Sequence, residues 1–168
     1  MDDKKWFVIR TNPRAEKQVS QRLLDIGIEH YLPLYLQLRQ WKDRKKYVDV
    51  PLFSSYIFVR TTQKAKNEVF KVGGVIKYLF VGGQIAVVSE KEIGHLKIFC
   101  TLEDVKIEEQ NFENGDEVEI ISGELVGLRG QLLESGTEQK LKINIASLGC
   151  FATIKIDKTQ VKKIKIEA

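Results

Sequence analysis

The chain has 168 residues, 43% hydrophobic and 30% charged, with a net charge of +4 and a pI near 9.0. That is an ordinary globular composition, long enough for one medium and one small domain, and no apolar run reaches the roughly 18–20 residues of a membrane helix. The start, with Asp2 and Asp3 before Lys4 and Lys5 and a short apolar run after them, is too charged for a secretory leader, so a cytoplasmic chain with no membrane contact is expected.

The segment KWFVIRT, rich in aromatic and β-branched residues, predicts a strand that stops at Asn12-Pro13. Asn12 is expected to cap a helix with Pro13 at its first position, and Gly27 to end it. Ala15, Val19, Leu23 and Ile26 recur at helical spacing as its buried stripe, which leaves Arg14, Lys17, Gln18, Gln21 and Arg22 outside. Next, Ile28, Leu32, Leu34, Leu36 and Leu38 alternate at period two and predict a strand with one buried face. A hairpin tip follows in RQWKDRKKY, where Arg39, Lys42, Arg44, Lys45 and Lys46 surround Asp43 with Trp41 and Tyr47 interleaved; it is a solvated tip or a polyanion contact.

In VPLFSSYIFVRTT, from Val50 to Thr62, a turn feeds a strand with apolar side chains in both directions. If Ile57 and Val59 face a core, then Phe53, Tyr56 and Phe58 must be covered by the chain's own helices or offered to a partner. Further on, QKAKNEVFKVGG predicts a short helix, VIKYLFVGG and IAVVS predict strands around a Gly82-Gly83 turn, and Ser89 with Glu92 forms a capping box. Ile93, Leu96 and Phe99 or Cys100 give that last helix its apolar stripe. This first part, residues 1–104, reads as α+β, with helices over one side of a mainly antiparallel sheet.

Residues 105–114 turn acidic and lose period, which predicts a flexible linker. Residues 115–168 alternate in the β manner through GDEVEIISGELVGLRGQLLESG, KLKINIAS and ATIKIDKTQVKKI, with glycines at 123, 127, 130, 136 and 149. About five short strands in so little chain predict a small barrel. The charge is uneven: +6 before residue 105, −2 in the linker and zero in the last part.

Cys100 and Cys150 lack metal-ligand spacing and predict buried thiols, so no metal and no cofactor are expected. His30 and His95 lie far apart and no phosphate loop or G-x-S-x-G occurs, so no enzyme is expected.

The pieces WFVIRTNPRAEKQVSQRL, VPLFSSYIFVR, VGGVIKYLFVGG and GDEVEIISGELVGLRGQLLE together resemble the NusG family of transcription elongation factors across nearly the whole chain. The resemblance implies an NGN domain at 1–104, a linker at 105–114 and an SH3-like KOW barrel at 115–168. The PLFSSYIFV version is similar to that of specialised members such as RfaH and the UpxY-type antiterminators. It implies that Phe53, Tyr56 and Phe58, with Arg10 in place of an aromatic residue, form an RNA polymerase-binding surface that receives the β′ clamp helices. Holding the clamp closed would suppress pausing and termination.

It further implies contact of Asn12, Arg14, Lys17 and Arg22 with the non-template DNA strand, and recruitment of a small-subunit ribosomal protein or the Rho terminator by the KOW domain. A threonine-rich second polymerase contact of RfaH falls near Ala65, Lys66 and Asn67 and is not reproduced. A monomer is expected. The alternative, an RNA-binding or ribosome-associated KOW protein, would be expected to carry positive charge on the barrel, where this chain has none in balance. In the last part the β-branched residues favour a barrel over the helical hairpin that RfaH adopts there.

Overall fold

The computed structural model describes residues 2–102, 105–109, 116–135 and 138–164. The chain divides into two units, Met1–Gly94 and His95–Ala168.

The first unit is built on a sheet of short antiparallel strands. Its elements are β1 (Lys5–Thr11), α1 (Glu16–Asp25), β2 (His30–Tyr31), β3 (Leu34–Gln40), β4 (Lys45–Pro51), β5 (Tyr56–Thr61), a 3-10 turn at Lys66–Lys71, β6 (Val75–Tyr78), β7 (Phe80–Val81), β8 (Gln84–Ile85) and β9 (Val87–Val88). The strand order is β2-β5-β1-β6, with β9 also on β1. Strand β1 is central in the sheet, and its side chains are buried in both directions, Trp6 and Val8 on one face and Phe7 and Ile9 on the other. The second set joins Val19 and Leu23 of α1, Ile57 and Val59 of β5, and Tyr78 of β6 in one core.

Helix α1 starts three residues later than Pro13. Arg14 takes a left-handed φ of 61°, and Ala15, not Asn12, is the N-cap, with no side-chain bond. The Asn12 N–H instead donates to the Gly74 carbonyl at 2.9 Å. Gly27, at φ 74°, ends the helix as expected, whereas Ile26, placed in the buried stripe, is 52% exposed.

The strand expected through Ile28–Leu38 is broken at Pro33, which fixes φ and has no N–H for a ladder. His30–Tyr31 pairs with β5, but Leu34–Gln40 leaves the sheet to form a separate ribbon with β4. Leu36 and Leu38, read as core, are therefore exposed.

Ser89 caps α2 (Glu90–Phe99) as predicted: the Glu92 N–H donates to Ser89 Oγ at 3.2 Å and the Ser89 N–H to Glu92 Oε2 at 2.8 Å.

The second unit is an antiparallel sheet of six strands. They are β10 (Lys106–Glu109), β11 (Asp116–Ile120), β12 (Arg129–Ser135), β13 (Glu138–Ile145), β14 (Cys150–Lys155) and β15 (Val161–Lys163), in the order β10-β14-β13-β12-β11-β15. Val118, Ile120, Leu141, Ile143, Ile145, Ala152 and Ile154 form its interior. Part of the segment read as a linker is strand β10, paired with β14: Lys106, Ile107 and Glu108 carry a short alternation hidden among the acids. Residues 110–115 and Gly136 lie outside the described residues.

Gly130 stands where a Cβ would meet the Lys142 carbonyl oxygen at 2.5 Å. The close approach of β12 to β13 requires glycine there. Lys142 is itself buried, with its Nζ 4.6 Å from the centre of the Phe151 ring. Both cysteines are half-buried rather than enclosed.

Candidate functional site

The pairing of β5 with β1 places Tyr56 opposite Arg10, Phe58 opposite Val8 and Arg60 opposite Trp6. Cross-strand partners share a face, so these six side chains lie on the side of the sheet away from Ile57 and Val59. Pairing of β1 with β6 adds Lys77 opposite Arg10, and β2 adds Tyr31 opposite Phe58.

This second face grades from buried to open. Phe58 is 0% exposed and Phe53 8%, and they meet edge to face with ring centres 5.9 Å apart. The Tyr31 ring centre lies 6.3 Å from that of Phe58. Phe53 and Phe58, read as an exposed contact surface, are thus interior residues. Apolar alternation in both directions signalled burial on both faces of β5. On this side the chain also runs from Val88, opposite Trp6, into α2, and Arg60 pairs with Glu90 at 2.9 Å. Ile93, within the same helix, is buried as well.

On this face Arg10 and Lys77 are exposed and Tyr56, Tyr31 and Arg60 half-buried, and Tyr56, Arg10 and Lys77 form a row across three neighbouring strands. Adjacent strands lie ~4.8 Å apart, so an aromatic ring and two positive charges are held side by side on rigid backbone. Such a row can receive an apolar group together with a carboxylate. Lys77 was not singled out in the sequence, because only the strand register brings it beside Arg10.

The four residues read as nucleic-acid contacts are all exposed but differ in what they bond. Asn12, Arg14 and Lys17 are exposed around the β1–α1 loop. That loop is firmly held: the Thr11 N–H donates to the Ser55 carbonyl at 2.8 Å, and the Ser55 N–H donates to the buried Glu16 carboxylate at 2.7 Å. Arg22 is different, since its guanidinium donates to the Gly73 carbonyl at 2.6 Å and braces the turn before β6.

Titration follows burial. The Tyr78 hydroxyl, enclosed in the α1-side core and donating to the Lys66 carbonyl, is pushed up to about 12 by burial. Burial likewise pushes the Cys150 thiol up to about 11, which disfavours a reactive thiolate. His30 is tied between Ser20 Oγ at 2.7 Å and the Ile28 carbonyl at 2.9 Å, a structural histidine. Among the described residues no three metal-ligating side chains gather, and no helix is long and apolar enough to cross a membrane.

The family model described as transcription termination factor nusG matches residues 4–97, more than half of the chain. The transcription termination/antitermination protein NusG of Rickettsia bellii is 25% identical over 174 residues, covering 96% of this chain and 91% of that protein. The NusG of Chlamydia trachomatis is 28% identical over 144 residues, covering 77% and 78%. A solved structure of Thermotoga maritima NusG shares the fold, with a TM-score of 0.61 at 24% identity over 97% of this chain and 98% of that one.

An α+β unit followed by a unit built on an antiparallel sheet, with these relatives, defines a transcription termination and antitermination factor. The chain belongs to the NusG family.

Proposed function

We propose that this chain is a specialised NusG-like factor that binds RNA polymerase through its first unit, on the β′ clamp helices. The observation that carries the reading is the Tyr56–Arg10–Lys77 row, an aromatic ring beside two exposed cations on the sheet face that also carries Phe58. Phe53 and Phe58, packed edge to face, fill the buried part of the same face. Arg10 and Lys77 meet acidic side chains of the polymerase, and Tyr56 supplies the apolar anchor.

Binding of this kind needs no catalysis. A ligand that prefers the closed, elongating clamp over the paused one shifts the population toward elongation and suppresses pausing and termination. Asn12, Arg14 and Lys17 contact the non-template DNA strand, chiefly at phosphates. Arg22 we assign instead to bracing the turn before β6, through its bond to the Gly73 carbonyl. The second unit, whose formal charge from residue 115 onward is zero, recruits a protein, a ribosomal small-subunit protein or Rho, rather than holding RNA by charge.

The test is retention of the full chain by purified RNA polymerase, comparing wild type with Tyr56→Ser and Arg10→Glu. Loss in both variants, with unchanged circular dichroism, is the expected result; equal retention of all three overturns the reading.

A further inference from the structure

Strand β10 lies at the end of the second sheet and pairs antiparallel with β14, Lys106 opposite Thr153, Ile107 opposite Ala152, Glu108 opposite Phe151 and Glu109 opposite Cys150. Strand β14 has β13 on its other edge, and its Phe151, Ala152, Thr153 and Ile154 are all buried. The two strands are held unequally. β10 is four residues long, with Lys106 exposed and its one apolar residue, Ile107, half-buried. A strand anchored by so little apolar area opens at low cost, and opening bares a row of backbone N–H and C=O groups on an otherwise interior strand.

The seam between β10 and β14 carries a mismatch. Thr153 is 6% exposed, and its hydroxyl has no hydrogen-bond partner. Cross-strand partners share a face, so the side chains flanking Thr153 are Lys106 from β10 and Lys142 from β13. Lys142 sets its ammonium over the Phe151 ring, 4.6 Å from the centre, and Lys106 is exposed. The buried hydroxyl has given up its bonds to water and received none in return.

We infer that the outer edge of β14 is a docking edge for an extended segment of another protein, with β10 as the chain's own removable occupant. The register sets the chemistry of the incoming strand: a short hydroxyl side chain, Thr or Ser, opposite Thr153, where it completes the missing hydrogen bond, then an aliphatic residue opposite Ala152 in place of Ile107. Main-chain bonds supply affinity and these two positions supply selectivity. β10 meets the second requirement and fails the first, so a better-matched strand displaces it. A second copy's β10 carries the same lysine and gains nothing over the tethered one, which acts at high effective concentration. The inference rests on the reading that the second unit recruits a protein, and adds to it the edge, the mode of binding and an internal competitor.

The experiment uses the full chain and two fluorescein-labelled peptides followed by anisotropy, one with the sequence of residues 103–110 and one with threonine in place of its lysine. Wild type is expected to bind the threonine peptide weakly, because β10 competes. The double variant Ile107→Pro/Glu108→Pro removes a ladder N–H from β10 whichever of the two faces β14. It is expected to bind that peptide about tenfold tighter, as for an edge open about a tenth of the time in wild type. It is also expected to prefer the threonine peptide to the lysine peptide by about 2- to 12-fold, as for one neutral hydrogen bond. Binding should slow amide hydrogen exchange in Cys150–Thr153. Lys106→Thr, which keeps β10 and gives Thr153 a partner, is expected to slow the same amides without peptide and to weaken peptide binding below wild type.

Equal affinity of wild type and the double variant for the threonine peptide overturns β10 as the occupant of the edge. No peptide binding by a double variant whose β11–β14 amides stay protected overturns the edge itself. Retention of a ribosomal small-subunit protein or Rho by the wild-type chain, measured alongside, then leaves the recruitment reading standing. If the double variant loses protection throughout the second unit, Lys106→Thr decides: slower exchange in Cys150–Thr153 supports the edge and its match at Thr153, and unchanged exchange overturns them.

Discussion

The buried carboxylate of Glu16 accepts a hydrogen bond from the backbone N–H of Ser55 at 2.7 Å, joining the first turn of α1 to the turn that leads into β5. Ser55 holds a left-handed φ of 66° to make that bond. A hydrogen bond to a charged group contributes about 1.5–3 kcal/mol, so Glu16→Ala is expected to lower stability by about 2 kcal/mol in urea unfolding, and Ser55→Gly to cost nothing or to stabilise slightly. An unchanged urea midpoint in Glu16→Ala contradicts this role.

Arg22 braces Gly73 across the fold. Arg22→Gln is expected to reduce stability by about 1 kcal/mol, as for one lost exposed bond, and to leave oligonucleotide affinity as it was. A variant with wild-type stability and weakened binding would return Arg22 to the nucleic-acid surface.

Gly130 allows β12 to approach the Lys142 carbonyl, where an added Cβ would lie 2.5 Å from the oxygen. The neighbouring atoms are backbone and the Leu141 side chain, so Gly130→Ala is expected to destabilise the second unit by about 1–3 kcal/mol. Amide hydrogen exchange should accelerate in β12 and β13. Wild-type protection there would refute the close packing.

The Tyr78 hydroxyl is raised from 10.0 to about 12 by burial. The folded state therefore keeps its proton longer than the unfolded chain. The associated stability is fully present below pH 10 and is lost as the pH rises toward 12. Urea midpoints measured between pH 9 and 11.5 are expected to fall more steeply in wild type than in Tyr78→Phe. Parallel slopes would mean that the hydroxyl is not enclosed.

Much of this fold can be read locally. Val19 and Leu23 sit at helical spacing and are buried; Ser89 and Glu92 form the box their spacing implies; the alternation of Val118 and Ile120 or Ile143 and Ile145 becomes the interior of the β unit. Phe58 shows where local reading stops: alternation tells which side of β5 it takes, but its burial depends on elements that return to that side from far along the chain. Leu36 and Leu38 fail for the opposite reason, since Pro33 detaches their strand from the sheet that would have covered them. The Tyr56–Arg10–Lys77 row depends on strand register. Residue spacing does not carry it.

The central claim is that the Tyr56–Arg10–Lys77 row touches RNA polymerase, and a zero-length probe of that contact tests it most directly. With Tyr56 replaced by the photo-crosslinker benzoylphenylalanine in the full chain bound to a transcribing complex, irradiation is predicted to yield a covalent adduct with the β′ subunit, and the same probe at the exposed Lys162 of β15 is predicted to yield none there. A complex that forms normally yet gives no β′ adduct from position 56 would contradict the account.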